Sequence, residues 1–340
     1  MRRSRRGWAL AAVVLAAVLL FPLGGRQSIH QLSEVEAVAV DEPVTLDVEP
    51  VSQPVANLSP VSTIRVAVDD GSIETMKLED YIYGVLAAEM PASFEPEALK
   101  AQAVAARTFA IRKMLSGGCA SNKDADVCTD SGCCQAWCSE TERKKNWGGN
   151  YKVNSTKLKA AIADTAGQIL TYDDEPILTL FHATSAGYTE SVENVYTQKL
   201  PYLRSVTSPE DEEMPVETTE ELSRSSFCKA VNAAWPKANV VVSKLEDQVK
   251  ILSHFDSGRV DEIRLGGVTV TGAKLRRAIG IRSANFTIDY DANSIVFHTR
   301  GYGHGVGMSQ NGANVMAREG SDYRDILEHY YTGVEIQTLP

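Results

Sequence analysis

Residues 78–115 read LEDYIYGVLAAEMPASFEPEALKAQAVAARTFAIRKML, and this stretch determines most of what can be predicted about the fold. Its first part carries apolar residues at the spacing of one helix face. These are Leu78, Tyr81, Ile82, Val85 and Leu86. Met90-Pro91 ends this predicted helix, because the residue before a proline avoids helical dihedral angles.

A second helix is predicted to begin just after Ser93-Phe-Glu-Pro96, since proline is favoured at the first helical position. It continues to Leu115 and ends at Gly117-Gly118. The helix is rich in alanine, so we expect it to pack closely against other elements. Gln102 and Arg107 are polar residues within it, and they either face solvent on the outer side or have a function.

The remainder of the chain contains shorter predicted elements that do not alternate regularly, which favours an α+β fold over α/β. We expect an irregular polar loop over 119–153 and an exposed acidic segment over 210–221. Helices are predicted over 158–166, 308–319 and 323–331, strands over 63–68, 168–172 and 177–182, and a hairpin turn at Gly266-Gly267.

The N-terminus has the pattern of a membrane anchor. Four arginines precede Trp8–Leu23, a run without any charge. The sequence just after the run is a poor cleavage site, so we expect an uncleaved anchor rather than a signal peptide. The predicted organisation is a cytoplasmic basic tail over 1–7, a transmembrane helix over 8–25, a linker over 26–62 and an ectodomain over 63–340, with the body outside the cell.

The charge of the chain excludes one class of partner. The formal net charge is −10, from 34 basic and 44 acidic residues. Five of the arginines lie within the first 26 residues, so the remainder is more acidic still. Because phosphate binding needs a basic surface, nucleic acid is not an expected partner.

Five of the six cysteines lie between Cys119 and Cys138. One interpretation is a pair of disulfides, which an oxidising exterior permits. Another is a tetrahedral thiolate site for a structural metal, with zinc as the expected ion, and free thiols are a third. The predicted zinc ligands are Cys119, Cys128, Cys133 and Cys134, with Cys138 able to replace one of them.

Glu89 is flanked by Ala87, Ala88, Met90 and Pro91 at the end of the first helix. Apolar surroundings raise the pKa of a carboxyl group by disfavouring its charged form, and a general acid at neutral pH needs such a pKa. The competing interpretation is a helix-end salt bridge to Lys100 or Arg107.

Two histidines stand in unusual surroundings. His182 ends an apolar segment and is followed by small residues, and His304 lies in the glycine-rich stretch Gly301-Tyr-Gly-His-Gly-Val-Gly-Met-Ser-Gln-Asn-Gly-Ala313. The stretch lacks the Gly-Lys-Ser/Thr of a phosphate loop, and a tight structural turn would explain it equally well. The chain has neither His-Glu-x-x-His nor Gly-x-Ser-x-Gly, which argues against a zinc protease or an α/β-hydrolase.

Five ordered motifs resemble the stage II sporulation protein D family. They are Ala87-Ala-Glu-Met-Pro91, Leu99-Lys-Ala-Gln-Ala-Val-Ala-Ala-Arg-Thr-Phe109, Cys134-Gln-Ala-Trp137, Phe181-His-Ala-Thr-Ser-Ala-Gly187 and the glycine-rich stretch. The resemblance extends over roughly residues 64–338 and includes the layout of an anchor followed by an ectodomain. Cys133 stands where the family commonly has a histidine.

The resemblance implies a peptidoglycan lytic transglycosylase, which cuts glycan between N-acetylmuramic acid and N-acetylglucosamine and leaves a 1,6-anhydro end. It implies that Glu89 is the catalytic acid. Candidates for glycan binding are Gln102, Arg107, His182, Ser185, His304, Ser309 and Gln310.

The resemblance also implies a place in the cell. The expected substrate is stem-free glycan. The expected partners are the amidase stage II sporulation protein P and the membrane scaffold stage II sporulation protein M. The expected location is the mother-cell membrane that faces the forespore septum during engulfment. Two alternatives remain. One is a non-catalytic wall-binding enhancer of an amidase, and the other is a hydrolase with a second carboxylate from Asp80, Glu190 or Glu193.

Overall fold

The computed structural model describes residues 29–31, 46, 50–51, 55, 60–210 and 216–340. The predicted tail and anchor, residues 1–7 and 8–25, lie outside these described residues. Within the described ranges, no helix is both long enough and apolar enough to span a bilayer.

Nine α-helices are described. They are α1 (Leu78–Glu89), α2 (Pro96–Leu115), α3 (Glu140–Trp147), α4 (Tyr151–Asp164), α5 (Arg224–Ala234), α6 (Leu245–Gln248), α7 (Gly272–Ile279), α8 (Gln310–Arg318) and α9 (Tyr323–Tyr330).

The described strands are mostly short. They are β1 (Ile29–Gln31), β2 (Thr63–Ala67), β3 (Ile73–Lys77), β4 (Val127–Cys128), β5 (Gln168–Tyr172), β6 (Glu175–Pro176), β7 (Phe181–His182), β8 (Glu217–Ser223), β9 (Val249–His254), β10 (Val260–Leu265), β11 (Val268–Thr271), β12 (Phe286–Tyr290), β13 (Ser294–Arg300), β14 (Met308–Ser309) and β15 (Glu335–Thr338). The mixed α+β class predicted from the sequence is confirmed.

The larger of two lobes is built around α2. This helix contacts α1, α4, α8, α9 and the small sheet β15-β5-β6, and it is buried on nearly all sides. Its alanines allow this close approach, since a methyl group leaves room for neighbouring backbones. A further sheet, β3-β2-β4, leads into α1, and strands β7 and β14 pair in parallel.

The smaller lobe has a separate apolar core, formed by residues between 222 and 297. Two sheets, β1-β8-β13-β12 and β11-β10-β9, enclose this core together with α5 and α7. The predicted turn at Gly266-Gly267 is confirmed, because it joins the antiparallel pair β10 and β11.

Several predictions were wrong in part. The predicted strand over 177–182 is reduced to β7, and the first two residues of the predicted helix over 308–319 form β14. The predicted irregular loop contains α3, which begins with a capping box in which Ser139 and Glu142 bind each other's backbone N–H groups. The pattern Ser-x-x-Glu at 139–142 was the available signal. The predicted exposed acidic segment contains β8, and Glu220 of that strand is buried.

The predicted linker over 26–62 contacts the body at several described residues. Strand β1 pairs in parallel with β8. The Leu46 backbone exchanges two hydrogen bonds with the Gln198 side chain, and Val55 is buried in the larger core.

Candidate functional site

A cleft of about 1190 Å³ is lined by residues of both lobes. From the larger lobe it receives the end of α1, part of the loop that carries the cysteine cluster, β7 and the glycine-rich loop. From the smaller lobe it receives part of β8 and the end of α7. Of the predicted site residues, Glu89, His182, His304, Gln310, Cys133 and Cys134 line it.

Glu89 is the last residue of α1, which ends there because the next residue, Met90, is extended. Its carboxylate accepts one hydrogen bond, from the backbone N–H of Ala136 at 2.8 Å. Burial raises the pKa of Glu89 to about 7, and the hydrogen bond from Ala136 only partly opposes this.

The salt-bridge interpretation of Glu89 is wrong. Lys100 pairs with Glu97 and Asp164, and Arg107 pairs with Glu79. No described residue forms an ion pair with Glu89, so burial dominates its pKa and the group can hold its proton near neutral pH.

Glu89 contributes the only carboxyl group to the cleft wall formed by the described residues. Asp80 is exposed on α1 and lies away from the cleft. Glu190 is buried against Ser257 and Asn194, and Glu193 pairs with Arg204. None of the three residues considered for a second carboxylate therefore lines the cleft.

His182 and His304 lie side by side in the cleft, with ring centroids 5.7 Å apart. The pairing of β7 with β14 brings their two segments together. Burial lowers the pKa of His182 well below its usual value and that of His304 to about 3. Both rings are therefore neutral at pH 7.

The partners of His182 assign its tautomer. Nδ1 lies 3.3 Å from the Val306 carbonyl oxygen, which can only accept, so Nδ1 carries the proton. Nε2 lies 2.6 Å from the Ser185 hydroxyl, which therefore donates to it.

Ser185 and Ser309 support the cleft from behind and do not line it. The backbone N–H of Ser185 donates to the Ser309 hydroxyl at 3.2 Å, and the same hydroxyl caps α8 by accepting from Gly312. They hold the His182 segment against the start of α8.

Gln102 and Arg107, the two predicted glycan-binding residues on α2, also lie away from the cleft wall. Both are fully buried. Arg107 donates to both carboxylate oxygens of Glu79, at 2.8 and 2.7 Å, and to the Gln168 carbonyl. Gln102 accepts from Gln310 at 3.4 Å. Arg107 thus contacts Glu79 and Gln168 rather than the cleft wall, and Gln102 contacts the cleft residue Gln310.

The glycine-rich loop needs its glycines. Gly303 has φ of +111° and Gly305 of +84°, conformations that other residues rarely adopt. A β-carbon at Gly303 would lie 2.8 Å from the Cβ of His182. The glycines therefore allow the loop carrying His304 to approach β7.

The four predicted metal ligands, Cys119, Cys128, Cys133 and Cys134, form one cluster. Their sulfur atoms all lie within 4.8 Å of one another. The Sγ atom of Cys119 is 3.6 Å from that of Cys133 and 3.8 Å from that of Cys134, and the last two are 3.9 Å apart. All six cysteines of the chain are free, which disfavours the disulfide interpretation.

This geometry fits a tetrahedral metal site. Four sulfurs about 2.3 Å from a zinc ion would be separated by about 3.8 Å along each edge of the tetrahedron. The three distances above match that edge. Cys138 and Cys228 are buried elsewhere, and neither belongs to the cluster. The four cysteines could bind a metal ion.

The sequence analysis missed several residues of the cleft wall: Gln135, Tyr196, Arg277, Arg282 and Tyr302. Gln135 lies within one of the quoted motifs, which was an available signal. The two arginines belong to the smaller lobe, and no motif marks them.

Comparisons with known proteins identify relatives of this chain. A family model described as "Stage II sporulation protein" matches residues 69–172. Stage II sporulation protein D of Bacillus subtilis (strain 168) is 37% identical over 328 residues, which cover 96% of this chain and 94% of that protein. The protein of the same name from Bacillus amyloliquefaciens is 39% identical and covers 84% of this chain and 81% of its own length. The "Amidase enhancer" of Bacillus subtilis is 28% identical, over 74% of this chain and 40% of its own length.

Proposed function

The chain belongs to the stage II sporulation protein D family, and we therefore propose that it is a lytic transglycosylase that cleaves wall glycan during sporulation. The observation that carries this proposal is the isolation of Glu89. It is the only carboxyl group among the described residues that line the cleft, and burial raises its pKa to about 7.

A single carboxyl group suits this reaction better than hydrolysis. Glycoside hydrolases use two carboxyl groups, because one protonates the leaving oxygen and the other acts as nucleophile or activates water. In a lytic transglycosylase the 6-hydroxyl of the muramic acid is the nucleophile, so no second carboxylate is required.

The proposed steps use the same oxygen atoms of Glu89 twice. The protonated carboxyl donates its proton to the glycosidic oxygen, and the bond from that oxygen to C1 of the muramic acid breaks. The resulting carboxylate takes the proton of the 6-hydroxyl as that oxygen bonds to C1. The products are a 1,6-anhydromuramic acid and a free 4-hydroxyl, and Glu89 is protonated again.

The neutral histidines and the amide of Gln310 suit a carbohydrate ligand. Neutral imidazole and amide groups can both donate and accept hydrogen bonds, as sugar hydroxyls and acetamido groups do. His182, His304 and Gln310 are therefore proposed to bind the glycan, with Ser185 and Ser309 acting through His182.

Zinc is the metal proposed for the cysteine cluster. Four thiolates at tetrahedral spacing are typical of structural zinc sites. The ion would hold the loop that carries Cys133 and Cys134, and the same loop supplies the Ala136 N–H to Glu89. Its proposed role is structural, because four cysteine ligands leave no position for substrate.

The proposed location is the mother-cell membrane, with residues 8–25 as anchor and the body facing the forespore septum. External protease added to intact protoplasts should then remove the body. A body protected until the cells are lysed would contradict this orientation. Stage II sporulation proteins P and M are proposed as partners on the same basis of family resemblance.

The function is tested by digestion of stem-free glycan followed by mass spectrometry of the fragments. Anhydro ends support the proposal, and reducing ends would indicate a hydrolase. Absence of fragments together with stimulation of an amidase would favour the alternative of an enhancer, to which the 28% identical relative points by its name. Glu89→Gln should abolish the anhydro product, whereas Asp80→Asn on the exposed face of the same helix should not.

A further inference from the structure

The glycine-rich loop that carries His304 connects the two lobes. It leaves the smaller lobe at the end of β13 and enters the larger lobe at β14. Within the loop, the Val306 N–H donates to Nδ1 of His304 at 3.1 Å. Burial keeps this ring neutral, so its proton lies on Nε2, which is the opposite tautomer to that of His182. Because glycines leave the backbone many conformations, the shape of the loop depends on contacts from its surroundings.

Arg259 of the smaller lobe makes one of these contacts. It ends the turn between β9 and β10 and is 2% exposed. Its guanidinium donates to the Tyr188 carbonyl of the larger lobe at 3.0 Å. A β-carbon at Gly305 would lie 2.4 Å from Cζ and Nη2 of Arg259 and 2.5 Å from its Nε. The face of the guanidinium therefore covers the α-carbon of Gly305, directly after His304.

Glu190 of the larger lobe holds the same glycine through its backbone. Its N–H donates to the Gly305 carbonyl at 2.7 Å. Its buried carboxylate accepts from Asn194 at 2.7 Å and from the hydroxyl of Ser257, two residues before Arg259. The turn of the smaller lobe is thus bound to the residue that binds the loop.

The charge of Arg259 is costly where it lies. Burial lowers the pKa of its guanidinium to about 10, and the charge of Glu190 opposes this, so Arg259 stays charged at neutral pH. Its Nε atom has no hydrogen-bond partner among the described residues. An apolar side chain would avoid this desolvation cost, so the residue type points to a role beyond filling space.

We propose that Arg259 is a positioning residue, through which the smaller lobe fixes the glycine-rich loop and so holds His304 in the orientation that binds glycan. This inference rests on the proposed function, in which His304 contacts the sugar. Arg259 does not line the cleft wall formed by the described residues, so it acts through the loop. Without it, the hydrogen bond from Val306 to His304 should be broken part of the time.

The first measurement is the tautomer of His304 in the full chain, read at pH 7 from the side-chain resonances of ¹⁵N-labelled histidine. The His304 signals are assigned by their absence in His304→Gln. The wild type should show a proton on Nε2 alone, and Arg259→Met should show a mixture of both tautomers at His304. His298, exposed on β13, is the internal reference. Arg264→Met is the matched control, because Arg264 is exposed on β10, and it should leave His304 unchanged.

The second measurement is glycan affinity. A stem-free tetrasaccharide is titrated into the full chain carrying Glu89→Gln, so that it is not cleaved. Adding Arg259→Met should weaken binding about tenfold to a hundredfold, whereas adding Arg264→Met should not. The titrations are made well below the melting temperatures, so a loss of global stability by itself would leave both measurements unchanged.

A folded Arg259→Met protein with the wild-type tautomer at His304, or with unchanged glycan affinity, would overturn the proposal. If Arg259→Met does not fold, Arg259→Lys takes its place. Lysine keeps the charge and the reach to the Tyr188 carbonyl but has no planar group to cover Gly305, so a wild-type His304 signal in that variant would overturn the proposal as well. If the protein with an intact Arg259 binds no glycan, the proposed function fails, and the tautomer of His304 still decides whether Arg259 positions the loop.

Discussion

Replacing Glu89 by glutamine should remove activity and at the same time make the protein more stable above neutral pH. Glutamine has the size of the glutamic acid side chain and can still accept the hydrogen bond from the Ala136 N–H. It cannot donate and recover the proton that the proposed reaction needs. Loss of a general acid typically costs about 10²–10⁴-fold in rate, and a group that acts as both acid and base should lie at the upper end.

The stability effect follows from the pKa of Glu89, which burial raises from 4.5 to about 7. Between these values the folded protein keeps the proton while the unfolded chain has lost it. The free energy of unfolding therefore falls as the pH rises through this window, by about 3 kcal/mol in total. Glutamine does not titrate, so Glu89→Gln should gain up to about 3 kcal/mol over the wild type at pH 8 and nothing at pH 4.

Denaturant unfolding at pH 4 and pH 8 measures this difference, and release of anhydro fragments measures activity. Asp80→Asn is the matched control, because Asp80 is exposed on the same helix, and it should change neither activity nor the pH dependence of stability. The wild-type kcat/KM should fall tenfold per pH unit above about 7, as the acid loses its proton. A well-folded Glu89→Gln protein with near wild-type turnover, or with no gain in stability at pH 8, would refute the reasoning.

Three further predictions concern other parts of the molecule. Elemental analysis should find about one zinc ion per chain. Cys133→Ser should lose the ion and melt at a lower temperature, whereas Cys228→Ser, outside the cluster, should keep it. A native, fully folded protein without bound metal would contradict this prediction. Arg107→Ala should lower the free energy of unfolding by about 3 kcal/mol, since it removes a fully buried side chain and takes a donor from the Gln168 carbonyl and from the partly exposed Glu79. The Kd for glycan should stay unchanged in titrations below the melting temperature. Gly84→Ala should lower both the melting temperature and the rate of glycan cleavage, because the added methyl group would overlap the Trp137 indole. Trp137 follows Ala136, whose N–H binds Glu89. An unchanged cleavage rate would show that this segment is not needed for catalysis.

Local patterns in the sequence were sufficient for α1, which carries Glu89, and for α2, which packs against it. The predicted boundaries of α1 agree with the structure, and those of α2 agree to within one residue. Helix periodicity and proline stops act over a few residues, so they can be read without knowledge of the fold. The four metal-ligand candidates could also be selected from the sequence, because they lie within 16 consecutive residues and a short loop brings them together.

The surroundings of each residue were decided only by the tertiary structure. Arg107 and Glu89 lie on neighbouring helices in similar alanine-rich sequence, yet Arg107 is paired with Glu79, whereas Glu89 forms no ion pair with any residue that the structure describes. The side of α2 that holds Arg107 could not be read from an amphipathic pattern, since nearly every face of that helix is buried. Arg277 and Arg282 reach the cleft only because a second lobe packs beside the first. The pKa of an acid and the charge around it depend on groups far apart in the chain, and only the packing of the lobes brings those groups together.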